Sequence, residues 1–307
     1  MKQFSLLLIC CLLASCSKDL DKEKQPVQEA PVTDTIIKKK QKEQPKEEKR
    51  IAIHYSMDSL QTRQALDSLK AQYTDEERAM IFALNRIEEY RVKPGIPVII
   101  PDTLSKDFLL YSPFPKKLDL LDSIPKAVLI AQRIQGFALY ESGKLVHWGP
   151  VSSGKQSTPT PNGLHYGNYK AKRKVSTVND AWILPYYFNF LNFDGVGVHQ
   201  YNMPGFPASH ACVRLKMQDA KFIYDWAEMW ELEKNQIKHN GTPFMVFGKY
   251  NFDAPAPWLN LAKDFKADDL NEEELETLRN YVEEYQADPR NFKQPEAPQI
   301  QDKEMAS

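Results

Sequence analysis

Ser209-His210-Ala211-Cys212-Val213-Arg214-Leu215, read together with His199 upstream, is the stretch on which the fold and the chemistry turn. A cysteine attacks as its thiolate, and a free thiol with a pKa of about 8.5 supplies little thiolate at neutral pH. An imidazole within hydrogen-bond reach takes the proton and later returns it to a leaving amine. His199 follows Gly195-Val196-Gly197-Val198, which reads as a short strand and therefore a rigid mount. Cys212 comes thirteen residues later, after a loop with Pro204, Gly205 and Pro207 that can return the chain beside its own start. Oxyanion stabilisation needs N–H groups aimed at the developing charge, and the amides of Ala211 and Cys212 are the natural donors.

The block resembles the active-site signature of the L,D-transpeptidase catalytic domain (YkuD-type): a strand ending in His, a loop, then Ser-His-Gly-Cys-Val-Arg/Asn-Leu. Val151-Ser152-Ser153-Gly154-Lys155 and Thr158-Pro159-Thr160-Pro161-Asn162-Gly163 resemble the family's upstream turn. Asp219-Ala220 and Gly241-Thr242-Pro243 resemble its downstream helix and closing strand. The likeness covers residues 126–250 of 307. It implies an α+β, mainly β catalytic domain with one helix. It also implies Cys212 as nucleophile, His199 as base and His210 as a supporting residue. Arg214 would shape the substrate carboxylate site or orient the loop, and Ser209 and Tyr186 would join it in holding substrate. The implied reaction is attack of Cys212 on a tetrapeptide stem of peptidoglycan. A thioester forms and passes to an amine, giving a 3→3 crosslink or attachment to a protein lysine. Water as acceptor would make the enzyme an L,D-carboxypeptidase or amidase. No cofactor or metal is implied. Position 211 departs from the pattern, with Ala where the family usually has Gly. If the site needs a positive φ, Ala costs about 1 kcal/mol there.

Competing readings exist for most of these residues. A lone cysteine in a β domain is often a small buried hydrophobe. His199, His210 and Cys212 could ligate zinc, but H-x10-H-x-C matches no common site. Trp182, Tyr186, Tyr187 and Phe188 read as a flap over the substrate or as a core patch. His147, His165 and His239 show no partner in sequence. A rival of another class is a non-catalytic peptidoglycan-binding lipoprotein.

The rest of the chain sets the compartment. Lys2 precedes an apolar run, Phe4 to Ala14, too short to span a bilayer. It ends in Leu13-Ala14-Ser15-Cys16, which resembles a lipobox; this implies a signal peptide over 1–15, lipidation of Cys16 and a membrane-anchored envelope protein. With Cys10 and Cys11 removed and Cys16 lipidated, Cys212 is the one free thiol of the mature chain. Residues 16–50, charged and without aromatics after Lys18, read as a disordered tether. Lys and Arg number 40 against 41 Asp and Glu, a balance that argues against an obligate nucleic-acid partner. A monomer is expected.

Residues 51–125 read as a small helical unit. A first helix carries Leu60, Ala65, Leu66, Leu69 and Tyr73, and a second starts after Thr74. The run Arg91 to Pro101 resembles the last half of a LysM repeat, a glycan-binding module; a packing or spacer unit is the alternative. Within 126–250 a hairpin turns at Glu141-Ser142-Gly143-Lys144, and a helix is predicted from about Gln218 to Glu231. Residues 251–307 hold a helix opened by Asn271 with Glu274 in the capping-box position, then a polar tail.

Overall fold

A computed structural model describes residues 52–292. The segments read as signal peptide and tether, with Cys16, and the last fifteen residues therefore lie outside the described residues.

The N-terminal unit has strands at both ends as well as its two helices. β1 (Tyr55–Asp58) is followed by α1 (Arg63–Gln72), α2 (Asp75–Leu84) and β2 (Val98–Pro101), and β1 and β2 pair antiparallel. β1 is the addition to the expected helical unit, whereas β2 is the short Ile/Val strand ending in Pro that the LysM-like run carries. Met57 and Asp58 belong to the strand, Asp58 turns the chain by accepting the Leu60 N–H, and α1 starts only after its N-cap, Thr62. Thr74 and Glu77 close a reciprocal capping box on α2, which satisfies two amides that the first helical turn would otherwise leave unpaired.

The region from residue 126 to residue 250 is built on two sheets. β3 (Lys126–Ala131), β4 (Gly136–Glu141), β5 (Lys144–Pro150) and β6 (Gly163–Tyr166) contribute to one; β7 (Tyr169–Val175), β8 (Ile183–Leu191), β9 (Val196–Gln200) and β10 (Val213–Leu215) form the other, in the order β10-β9-β8-β7. α3 (Met217–Trp226) follows, then the hairpin β11 (Glu231–Glu233) and β12 (Gln236–His239), then β13 (Pro243–Phe247), which completes the first sheet as β5-β4-β3-β13-β6. α4 (Glu272–Ala287) comes last, with the expected Asn271–Glu274 capping box.

The five-stranded sheet is buried on both faces, which is why β3 and β13 read as unbroken apolar runs. Val128, Ile130, Phe244 and Val246 face one cluster, shared with Phe188, Val198, Val213 and Ile223 from the second sheet and α3. Leu129, Ala131, Met245 and Phe247 face the other, shared with Leu278 and Val282 of α4 and with Tyr55, Leu84 and Ile99 of the N-terminal unit. Apolar packing thus crosses positions 125 and 250. α3 is shorter than predicted. After Trp226 the backbone turns to serve neighbouring loops: the Glu228 carbonyl accepts the Thr242 N–H at 3.0 Å, and the Trp230 N–H donates to Gly167 at 2.9 Å. Lys234 and Asn235, both at positive φ, then make the tight turn of the β11–β12 hairpin.

Candidate active site

β9 and β10 run parallel, with Val198 opposite Val213 and His199 opposite Arg214. The cysteine immediately before β10 therefore stands beside Gly197, one pleat from the histidine. The Gly197 backbone N–H is near enough to the Cys212 sulfur to favour its thiolate. Only glycine fits at 197, because a Cβ there would lie 2.4 Å from the Phe188 carbonyl oxygen of β8. Adjacent strands of one rigid sheet thus bring Cys212 and His199 into one cleft, whose lining also includes His210, Ser209, Arg214 and Tyr187.

The turn before the cysteine is held by the segment 152–160. Ser152 and Arg214 exchange both backbone hydrogen bonds at 3.0 Å, and Ser209 donates its N–H to Ser153 at 3.0 Å. The Ser209 carbonyl accepts from the Lys155 N–H at 3.0 Å and the Thr158 hydroxyl at 3.2 Å. Thr160 donates its hydroxyl to the Ala211 carbonyl at 2.7 Å and accepts the Gly154 N–H at 2.9 Å. Ala211 sits at φ +72°, in the left-handed region. The departure from glycine at this position therefore carries a backbone penalty of about 1 kcal/mol.

One expectation is overturned here. The Ala211 N–H is not an oxyanion donor, because it donates to the Thr158 carbonyl at 3.1 Å. The Cys212 N–H makes no hydrogen bond among the described residues. Ser209, expected at the substrate, is buried, and its hydroxyl donates to the Cys212 carbonyl, so it fastens the turn.

His199 donates its Nδ1–H to the Gln200 carbonyl at 2.9 Å. That bond fixes the tautomer and leaves Nε2 as the basic nitrogen. Burial pushes the imidazole down to about 4, with the Arg214 charge adding to the effect against the Gln200 bond. Burial also raises the Cys212 thiol, while the Gly197 amide, Lys174 and Arg214 oppose that rise. The thiol contacts the Gly195 carbonyl at 3.8 Å. At neutral pH the pair therefore rests as neutral thiol and neutral imidazole, a base ready to accept rather than a preformed ion pair.

The remaining predicted residues divide. His210 lies against the Trp182 ring at 5.5 Å, and its Nε2 is 3.4 Å from Lys155 Nζ. Arg214 donates to Asn202 Oδ1 at 3.1 Å and to the Ala208 carbonyl at 2.9 Å, so most of its fork orients the loop. Tyr186 is not among the cleft residues; it packs edge-on against Tyr224 of α3, 5.6 Å between centroids. Its φ of +49° breaks the simple alternation along β8, and the next residue, Tyr187, reaches the cleft instead. Tyr187 donates its hydroxyl to Gly195 and lies 6.4 Å from the His199 ring. Trp182 lines the cleft while Phe188 is core, so the aromatic run serves both purposes. Lys174 was missed and lines the cleft from β7. His147, read as partnerless, bonds Asp219 at 2.9 Å. That pair lines a larger cleft, about 630 Å³, between α2 and β5, and Cys212 is not part of it.

None of the curated proteins compared matches the chain. Among solved structures, an L,D-transpeptidase from Stackebrandtia nassauensis is 27% identical over 41% of this chain and 57% of its own, with a TM-score of 0.34. An L,D-transpeptidase from Mycobacterium smegmatis is 18% identical over 40% and 59%, with a TM-score of 0.33. The catalytic domain of an E. faecium L,D-transpeptidase is 22% identical over 40% and 96%, with a TM-score of 0.30. The chain thus spans under three fifths of the first two. Residues 126–246, which hold both sheets, His199 and Cys212, match the family described as the L,D-transpeptidase catalytic domain, YkuD.

Proposed function

We propose that this protein is a cysteine L,D-transpeptidase acting on peptidoglycan stem peptides. The observation that carries the reading is the delivery of Cys212 and a tautomer-fixed His199 to one cleft by adjacent parallel strands, inside the matched segment. In the proposed course the stem's third-residue carbonyl enters the cleft and the thiol leaves the Gly195 carbonyl for His199 Nε2. Sulfur attacks the carbonyl carbon as Nε2 takes the thiol proton. Charge that develops on oxygen is met by the Cys212 N–H. The C–N bond to the terminal D-alanine breaks, and its amine leaves with the proton from His199. A thioester remains. An acceptor amine then gives a proton to His199 and attacks the thioester carbon, and the thiol is regenerated as the new amide forms. Lys174 and the exposed part of Arg214 put positive charge where a stem carboxylate would lie.

Lipid anchoring through Cys16 belongs to the same proposal. Cys16→Ser is expected to release the protein from carbonate-washed membranes and to leave activity on soluble muropeptides intact; a washed pellet that keeps the variant contradicts it. The activity itself is tested by muropeptide analysis of purified cell wall after incubation with wild type and with Cys212→Ala. New 3→3 crosslinks with wild type only support transfer. Shortened stems without crosslinks support the hydrolytic alternative, and no change with either supports a binding role.

A further inference from the structure

The loop from Tyr201 to Cys212 joins the candidate base to the candidate nucleophile. Pro204, Gly205 and Pro207 keep it out of regular structure, so its backbone groups need partners from elsewhere. Two sets of partners come from the catalytic region: Arg214 holds Asn202 and Ala208, and the Ser152 hydroxyl donates to the Phe206 carbonyl at 2.8 Å. A third comes from the N-terminal unit, just past α2. Ile87 bridges Pro204 in antiparallel fashion. Glu88 donates its N–H to the Met203 carbonyl at 3.0 Å, and its carboxylate accepts the Met203 N–H at 3.1 Å. One residue thus clasps both polar groups of another, and Met203 is 1% exposed.

The clasp is mounted rigidly. Asn85 bonds β2 in both directions, to Ile99, at 2.8 Å. Arg86, fully buried, donates to the Ile134 carbonyl at 3.1 Å and pairs with Asp268 at 2.9 Å. Residues 85–88 therefore join three parts of the fold to the middle of the active-site loop. A bond from a carboxylate to a backbone N–H is of the stronger, charge-assisted kind.

We infer that Glu88 is a positioning residue for the reaction, and that the N-terminal unit sets the loop that separates His199 from Cys212. This rests on the reading of Cys212 as nucleophile. Removing the carboxylate leaves the Met203 N–H unpaired and lets the loop drift, and small displacements of reacting groups are costly in rate. Glutamine keeps an acceptor oxygen at the same reach and should restore most of the function.

The test is the rate of Cys212 acylation by a carbapenem, followed to saturation, in the full chain. Variants are Glu88→Ala, Glu88→Gln and, as a control on the exposed face of α1, Arg63→Ala. Glu88→Ala is expected to lower the maximal acylation rate by about tenfold with little change in half-saturating concentration or melting midpoint. Glu88→Gln is expected within about threefold of wild type, and Arg63→Ala should match it. Glu88→Ala within about threefold of a competent wild type overturns the inference. So does an equal loss in both Glu88 variants accompanied by a fallen melting midpoint. Failure of wild type to acylate overturns the nucleophile reading, and this one with it.

Discussion

Ala211 donates its backbone N–H to the carbonyl of Thr158 at 3.1 Å while held at φ +72°. The residue before the candidate nucleophile is therefore fixed in a left-handed turn by a segment far upstream. Its amide shapes the turn and is not free to meet a charge developing in the cleft.

That relationship makes a prediction about residue 211. Glycine enters the left-handed region without penalty, whereas valine adds a β-branched clash. Ala211→Gly is expected to stabilise the protein by up to about 1 kcal/mol, and Ala211→Val to destabilise it by more. The kcat/KM values on one substrate should run Gly at least equal to Ala, and both above Val by about tenfold or more. A valine variant as active and stable as wild type would show that the turn is not strained.

Thr160 grips the same turn from the side. Its hydroxyl serves the Ala211 carbonyl and the Gly154 N–H, and the residue is 2% exposed. Thr160→Val leaves both groups unpaired, an expected cost of about 1–3 kcal/mol. Thr160→Ser keeps both bonds and should stay near wild type. Denaturant unfolding of the two variants checks this; equal stabilities would contradict it.

His199 gives a pH signature. Burial holds its folded value at about 4, below the ordinary value of about 6.5. Above about pH 6.5 the ring is neutral in both folded and unfolded chains, so the stability it allows is fully present. As pH falls the unfolded ring takes a proton first, and stability is lost down to about pH 4. Between about pH 7 and about pH 5 the loss from this group is about 2 kcal/mol. Equilibrium unfolding should show His199→Gln with a shallower decline than wild type by that amount. Parallel curves would mean that the ring is not buried neutral.

Much of this was legible in the sequence because the relevant signals are local. The helix start after Thr74 and the capping box at Asn271–Glu274 formed as read, since each signal is complete within four residues. The strands around Val128 and Val246 carry apolar residues on both faces, and the block around Cys212 lies within one short segment. What was missed depends on partners distant in sequence or on backbone twist. β1 has one buried residue, Tyr55, followed by three exposed ones, so no alternation announced it. His147 finds Asp219 across 72 positions. The Ala211 amide is occupied by a main-chain carbonyl, which no residue type reveals. Tyr186 was displaced from the cleft by a positive φ within a strand, which side-chain alternation cannot anticipate.

The central claim is that Cys212 becomes covalently acylated by a stem peptide with the help of His199. Intact-mass spectrometry of the protein with a tetrapeptide stem, followed by mapping of the modified peptide, addresses it directly. The account predicts an adduct equal to the stem less its terminal alanine, located on Cys212 and absent from Cys212→Ala. His199→Ala should form it about 10²–10⁴-fold more slowly. An adduct on another residue, or stem turnover undiminished in Cys212→Ala, would contradict the account.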